Sequence, residues 1–269
     1  MLVMIFPLNV AAKPQEIKTG NPYLPLWEHI PDGEPHVFSS PDSVGQRLYI
    51  YGSHDSGSTA TYCGRDYVTW SASTNDLSDW KCEGEIFNAS AFDGLKYTDD
   101  SGAVKSLSRN PGRMLYAPDV LYYPETETYY LFMSPNPDNK IFAASSKSPC
   151  GPFTSPQYIC DGFDPAVLVD DTTDVNGHRK VYLYYSTESG RDCFACQLDP
   201  FNYMKPVKGT LHYPDTYSKN SDHSIAEKAT MISKNLEPFY FFEGPSIRKV
   251  HDWYILSYQR SEPNGSQNG

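Results

Sequence analysis

Four acidic residues, Glu34, Asp119, Asp164 and Glu243, each stand next to a proline or glycine where a short apolar stretch begins. Carboxyl groups brought into one pocket can divide acid and base work: one kept protonated gives a proton, another left ionised takes one. Loss of water and the nearness of a second anion both raise a carboxyl pKa, which is how a proton is kept available near neutral pH. In Phe242-Glu-Gly-Pro245 the glutamate lies between aromatic residues and a proline, where both effects are expected.

For residues so far apart in sequence to share a pocket, repeated elements must carry them there. Short runs rich in Tyr, Val, Ile, Leu and Phe recur along the chain, bounded by Gly, Pro, Asp and Asn, as in Leu48–Tyr51, Val120–Tyr123, Val181–Tyr185 and Trp253–Tyr258. That spacing predicts an all-β fold, and amphipathic helix patterns are almost absent. Four units follow one plan, an acidic residue near a short strand, then a turn, then a Tyr-rich strand. They open at Glu34-Pro-His-Val-Phe38, Ala117-Pro-Asp-Val-Leu-Tyr122, Phe163-Asp-Pro-Ala-Val-Leu168 and Phe242-Glu-Gly-Pro-Ser-Ile247. Repetition of one supersecondary unit predicts propeller blades. The innermost strand of each blade lines a central channel, so the acidic residues are expected to converge there. Residues 53–112 should complete the first blade and carry long loops; Asp199 to Asn235 should lie over one face.

The chain has 269 residues, a formal net charge of -11, and 14% aromatic residues including 21 Tyr. An acidic surface repels phosphate backbones and anionic lipid, which argues against nucleic acid and membrane as partners and suits a neutral ligand. The aromatic surplus fits either stacking against sugar rings or the ordinary enrichment of β-rich cores. Of six cysteines, Cys193 and Cys196 alone have C-x-x-C spacing, and no second pair completes a four-ligand metal site. Structural cysteines are expected. Residues 1–20 form an N-terminal segment whose apolar start ends in Val10-Ala-Ala12, compatible with a weak secretion signal although no basic residue precedes it.

At these positions the chain resembles glycoside hydrolase family 43. The resemblance rests on Asn21-Pro22, Glu34-Pro-His-Val-Phe38, Tyr116-Ala-Pro-Asp-Val120, Phe163-Asp-Pro165, Gln197-Leu-Asp-Pro200 and Phe242-Glu-Gly-Pro245, in family order across residues 21–269. It implies a five-bladed β-propeller catalytic domain that cleaves arabinoside, xyloside or galactoside linkages with inversion. It further implies Glu243 as general acid and Asp119 as the residue that tunes its pKa. The general base is open between two residues: register favours Glu34, the preferred assignment, and residue type favours Asp32, the alternative. Asp164 is expected either to hold sugar hydroxyls or to make a blade-opening turn. His54, Tyr116, Phe163 and Phe242 are expected to contact substrate. Arg113 and Arg248 are read as surface groups or as partners of the carboxylates. Calcium occurs in the channel of some family members; no EF-hand-type loop is present here, and metal stays unassigned. Only four blade openings can be counted, so the expectation is a propeller lacking most of its last blade, with exposed strand edges and poor stability. A carbohydrate substrate and no obligate protein partner are expected. A glycan-binding propeller with impaired catalysis is the competing reading.

Overall fold

In the computed structural model, residues 18–19, 22–41, 45–55, 62–187, 193–213, 230–231 and 241–260 are described. The apolar N-terminal run, Asn21 of the Asn-Pro motif, the tail beyond Arg260 and most of the stretch from 214 to 240 lie outside them. The expectation of an all-β propeller is met. Each of the four openings begins the inner strand of its own sheet: Glu34–Ser39, Met114–Tyr123, Phe163–Thr173 and Phe241–Val250.

The first sheet runs outward from Glu34–Ser39 through Gln46–Tyr51, Asp66–Ser73 and Asp76–Asn88, with the short strand Lys18–Thr19 parallel at its edge. Residues 53–112 thus complete this blade as expected, and add a short hairpin, Lys96–Thr98 with Val104–Ser106. The second sheet is a four-stranded antiparallel meander from Met114–Tyr123 to Thr154–Asp161. The third passes from Phe163–Thr173 to Arg179–Ser186 and Cys193–Asp199, with short strands beyond. Among the described residues the fourth consists of Phe241–Val250 paired with Trp253–Arg260.

Alternation within strands builds the core between blades. Side chains one residue apart face opposite sides of a sheet. Val120, Leu131 and Phe142 accordingly pack with Tyr49, Tyr51 and Phe92 against the first blade. Their neighbours Leu121, Phe132 and Ala143 pack with Val167, Leu183 and Phe194 against the third. Much of the tyrosine surplus is consumed here: Tyr49, Tyr51, Tyr67, Tyr123 and Tyr158 are buried side chains of these interfaces. Cys193 and Cys196 are buried in one strand of the third blade, and burial pushes the Cys196 thiol up to about 12. A thiol so held is a poor nucleophile or metal ligand, in keeping with the structural reading.

Arg113 is a correction. It is 1% exposed, with its guanidinium spread between Asp93 (3.0 Å), Asp138 (2.8 Å) and the carbonyl of Ser108 (3.0 Å). It staples the loop after the first blade to the second hairpin turn of the second, and takes no part in the surface.

Candidate active site

The inner strands of the second, third and fourth sheets carry the same irregularity near their start. Register with the neighbouring strand slips between Tyr116 and Asp119, between Phe163 and Ala166, and between Glu243 and Ser246. A bulge of this kind bends the strand and re-aims the side chains within it. Asp164 has φ 49° and Gly244 φ 62°, both left-handed, while in the first blade Asp32 has φ 55° one turn before its strand. Left-handed backbone at a residue with a side chain is uncommon and clusters at functional sites.

These distortions turn three carboxyl groups into one cavity of about 450 Å³ at the end of the channel, lined by Asp32 from the first blade, Asp164 from the third and Glu243 from the fourth. Glu34 also lines it, and the second blade contributes Tyr116, Ala117 and Pro118. Tyr62 and Tyr116, with ring centroids 5.9 Å apart, and Phe163 provide flat walls. Such faces suit the apolar side of a sugar ring.

Electrostatics follow from the crowding. Burial is the largest cause of the raised pKa of Glu243, and the charge of Asp32 adds to it. Burial likewise raises Asp164, to about 7, with Glu243 and Asp32 contributing and the N–H of Gly244 opposing. Repulsion between Asp164 and Glu243 is mutual, so the pair retains a proton towards neutral pH whichever carboxyl bears it. Asp32 is raised by burial while a hydrogen bond from Ser53 Oγ (3.4 Å) opposes the shift.

Several expected site residues are placed elsewhere. Asp119 is fully buried and absent from the cavity wall. Its Oδ1 lies 2.6 Å from His36 Nε2 and accepts the N–H of Val120 at 2.7 Å; its Oδ2 accepts the N–H of Val167 at 2.7 Å. Its charge raises Glu34. Glu34 is engaged by the guanidinium of Arg248, which therefore is a carboxylate partner, as one reading of the sequence held. His54 lines an adjoining groove with Arg65 and Met114, bonded to Asp66 (3.1 Å) and Glu28 (3.3 Å). Phe242 is likewise absent from the cavity wall.

Among the described residues, Glu34, His36 and Asp119 form a group whose donor atoms lie within 4.8 Å of one another. Asp119 already accepts three hydrogen bonds and Glu34 already holds a cation, so this group does not fit a resident calcium.

Blades around a channel that ends in a cluster of carboxyl groups define a β-propeller with an acidic pocket. The family model for glycosyl hydrolases family 43 matches residues 103–265, and the chain belongs to that family. A xylosidase/arabinosidase of Thermoclostridium stercorarium is 35% identical over 256 residues, covering 88% of this chain; the chain spans 46% of that relative's length. Among solved structures, a family 43 β-xylosidase/α-arabinofuranosidase from a compost metagenome, in complex with xylotriose and in a calcium-free form, aligns with TM-score 0.56 at 20% identity over 87% of this chain and 70% of its own. An enzyme from Xanthomonas citri complexed with xylose gives 0.57 at 19% identity over 88% and 68%. An exo-β-1,3-galactanase from Phanerochaete chrysosporium with β-1,3-galactotriose gives 0.54 at 16% over 85% and 43%. At these identities the structures establish a shared fold.

Proposed function

We propose that the protein is an inverting glycoside hydrolase that cleaves arabinoside, xyloside or galactoside linkages in plant-type polysaccharides or oligosaccharides. The observation that carries this reading is the meeting of Asp32, Asp164 and Glu243, from three separate blades, in one cavity. Family membership and the xylosidase/arabinosidase relative support the substrate class.

In this mechanism Glu243, kept protonated by burial and by Asp32, protonates the leaving glycosidic oxygen. Asp32, ionised, draws a proton from a water that attacks the anomeric carbon from the opposite face. Asp164 is the third carboxyl, close enough to Glu243 for that charge to help hold up its own pKa. These roles reassign two residues. The base passes from Glu34 to Asp32, because Glu34 is occupied by Arg248. The tuning role passes from Asp119 to Asp164, because every oxygen of Asp119 is bonded away from the cavity.

The test is release of p-nitrophenol from arabinofuranoside, xyloside and galactoside substrates, with Asp32→Asn as the control, because p-nitrophenol leaves with little help from an acid. Release by the parent chain and not by the variant supports the reading. Retained sugar binding without release from any of them would instead favour the glycan-binding propeller. Proton NMR of the first product anomer distinguishes inversion from retention.

A further inference from the structure

Each inner strand, followed one to three residues beyond the part that lines the cavity, reaches a polar group that bonds to a neighbouring blade. In the first blade this group is His36, two past Glu34; in the second it is Asp119, one past Pro118. The third offers the N–H of Val167, two past Pro165, and the fourth offers Arg248, three past Pro245. The contacts join end to end. Arg248 of the fourth blade pairs with Glu34 of the first and also reaches the carbonyl of Pro35 at 3.2 Å. His36, on the same strand as Glu34, meets Asp119 of the second blade, and Asp119 takes the N–H of Val167 from the third. A third blade thus connects through the second and first to the fourth.

We propose that Glu34, at the cavity wall, and His36, Asp119 and Arg248, just beyond it, form a polar belt around the channel, which fixes the spacing of the blades and hence of Asp32, Asp164 and Glu243. The proposal rests on the functional reading above for the identity of those three residues. Glu34 and Arg248 are then positioning residues, and the cation that balances the channel's carboxylates is a side chain of the fourth blade. Several features agree. Asp119 is fully buried, and a buried carboxylate needs its hydrogen bonds satisfied. Its bonds go to His36 and to the N–H groups of Val120 and Val167, two of them across blade boundaries. His36 is itself held, stacked on Phe38 with ring centroids 5.6 Å apart and planes 6° from parallel. The groups that face Glu34 are Asp119 from the second blade and Ser246 and Arg248 from the fourth, with His36 on its own strand. Burial and Asp119 raise its pKa, and Arg248 and Ser246 lower it.

The experiment is a double-mutant cycle on the full chain, reading the thermal midpoint, with Glu34→Gln, Arg248→Met and their combination. Each single change should lower the midpoint by on the order of 5 °C, and the double should fall no further than the worse single. The penalty of Arg248→Met should also shrink as pH falls and Glu34 becomes protonated, a response that lost packing alone would not give. Additive losses, or a penalty independent of pH, would overturn the belt. Should Arg248→Met fail to fold, Arg248→Lys and Glu34→Asp supply the same cycle. The midpoint needs no substrate, so the belt stands or falls separately from the hydrolase reading. Turnover abolished by Glu34→Gln with an unchanged midpoint would overturn the belt and return Glu34 to the role of base.

Discussion

The N–H of Gly244 donates to Oδ2 of Asp164 at 3.2 Å, joining the residue after Glu243 to the carboxylate of the preceding blade. The contact places two carboxyl groups from different blades side by side, and it is available because Gly244 adopts φ 62°, left-handed and easy for glycine.

Replacing Glu243 with Gln should reduce kcat by about 10²–10⁴-fold, the usual worth of a positioned general acid. The loss should be greatest for sugar leaving groups and smallest for p-nitrophenol, which needs little protonation. Comparing the two substrate types by initial rates checks the role; an equal loss for both would contradict it.

The base assignment separates Asp32 from Glu34. Asp32→Asn should abolish turnover while leaving the midpoint the same or higher, since it removes a carboxyl that burial holds protonated-prone. Azide rescue of the variant, giving a glycosyl azide of inverted configuration, would show that a missing base is the cause.

Asp164 gives a prediction on stability. Its pKa rises on folding from 3.8 to about 7, so the folded chain binds this proton more tightly than the unfolded one. Its contribution is complete below pH 3.8 and is lost as pH rises through about 7. Asp164→Asn should therefore gain on the parent at pH 8 relative to pH 4, measured by urea unfolding at both. The same change should lower the pKa read from the alkaline limb of kcat.

Arg113 should behave as structure and not as chemistry. Removing it by Arg113→Met strands Asp93 and Asp138 beside a buried apolar chain. The cost should be about 3–5 kcal/mol, visible as a lower urea midpoint, with the pH–rate profile of the surviving folded protein unmoved.

The four blade openings were legible in the sequence because turn residues and Tyr-rich runs repeat, and a strand pattern is local. The alignment among them was less so. Matching acid to acid sets Asp119 beside Asp164 and Glu243. The bulges show that the residue two before the proline is the better marker: Tyr116, Phe163 and Glu243 share the position where register slips, followed by Ala117, Asp164 and Gly244. Asp119 then corresponds to Ala166, deeper in the channel. The aromatic-x-Pro pattern at Tyr116 and Phe163 was the signal that could have found this. In the first blade, Gly33 separates Asp32 from the strand, and only the fold reveals that Asp32 turns inward through a left-handed backbone. The partners of Arg113 and Arg248 lie far away in sequence, so neither local composition nor spacing could announce them.

The left-handed backbone at Asp32 and Asp164 carries a consequence for anyone who would make this protein hardier. An L-residue in that conformation gives up about 1–2 kcal/mol that glycine would not, so these would be natural first choices for stabilising substitution. Each such glycine would also remove a carboxyl group from the cavity. A screen that selects for heat resistance alone should therefore drift towards a tougher protein with an emptied site.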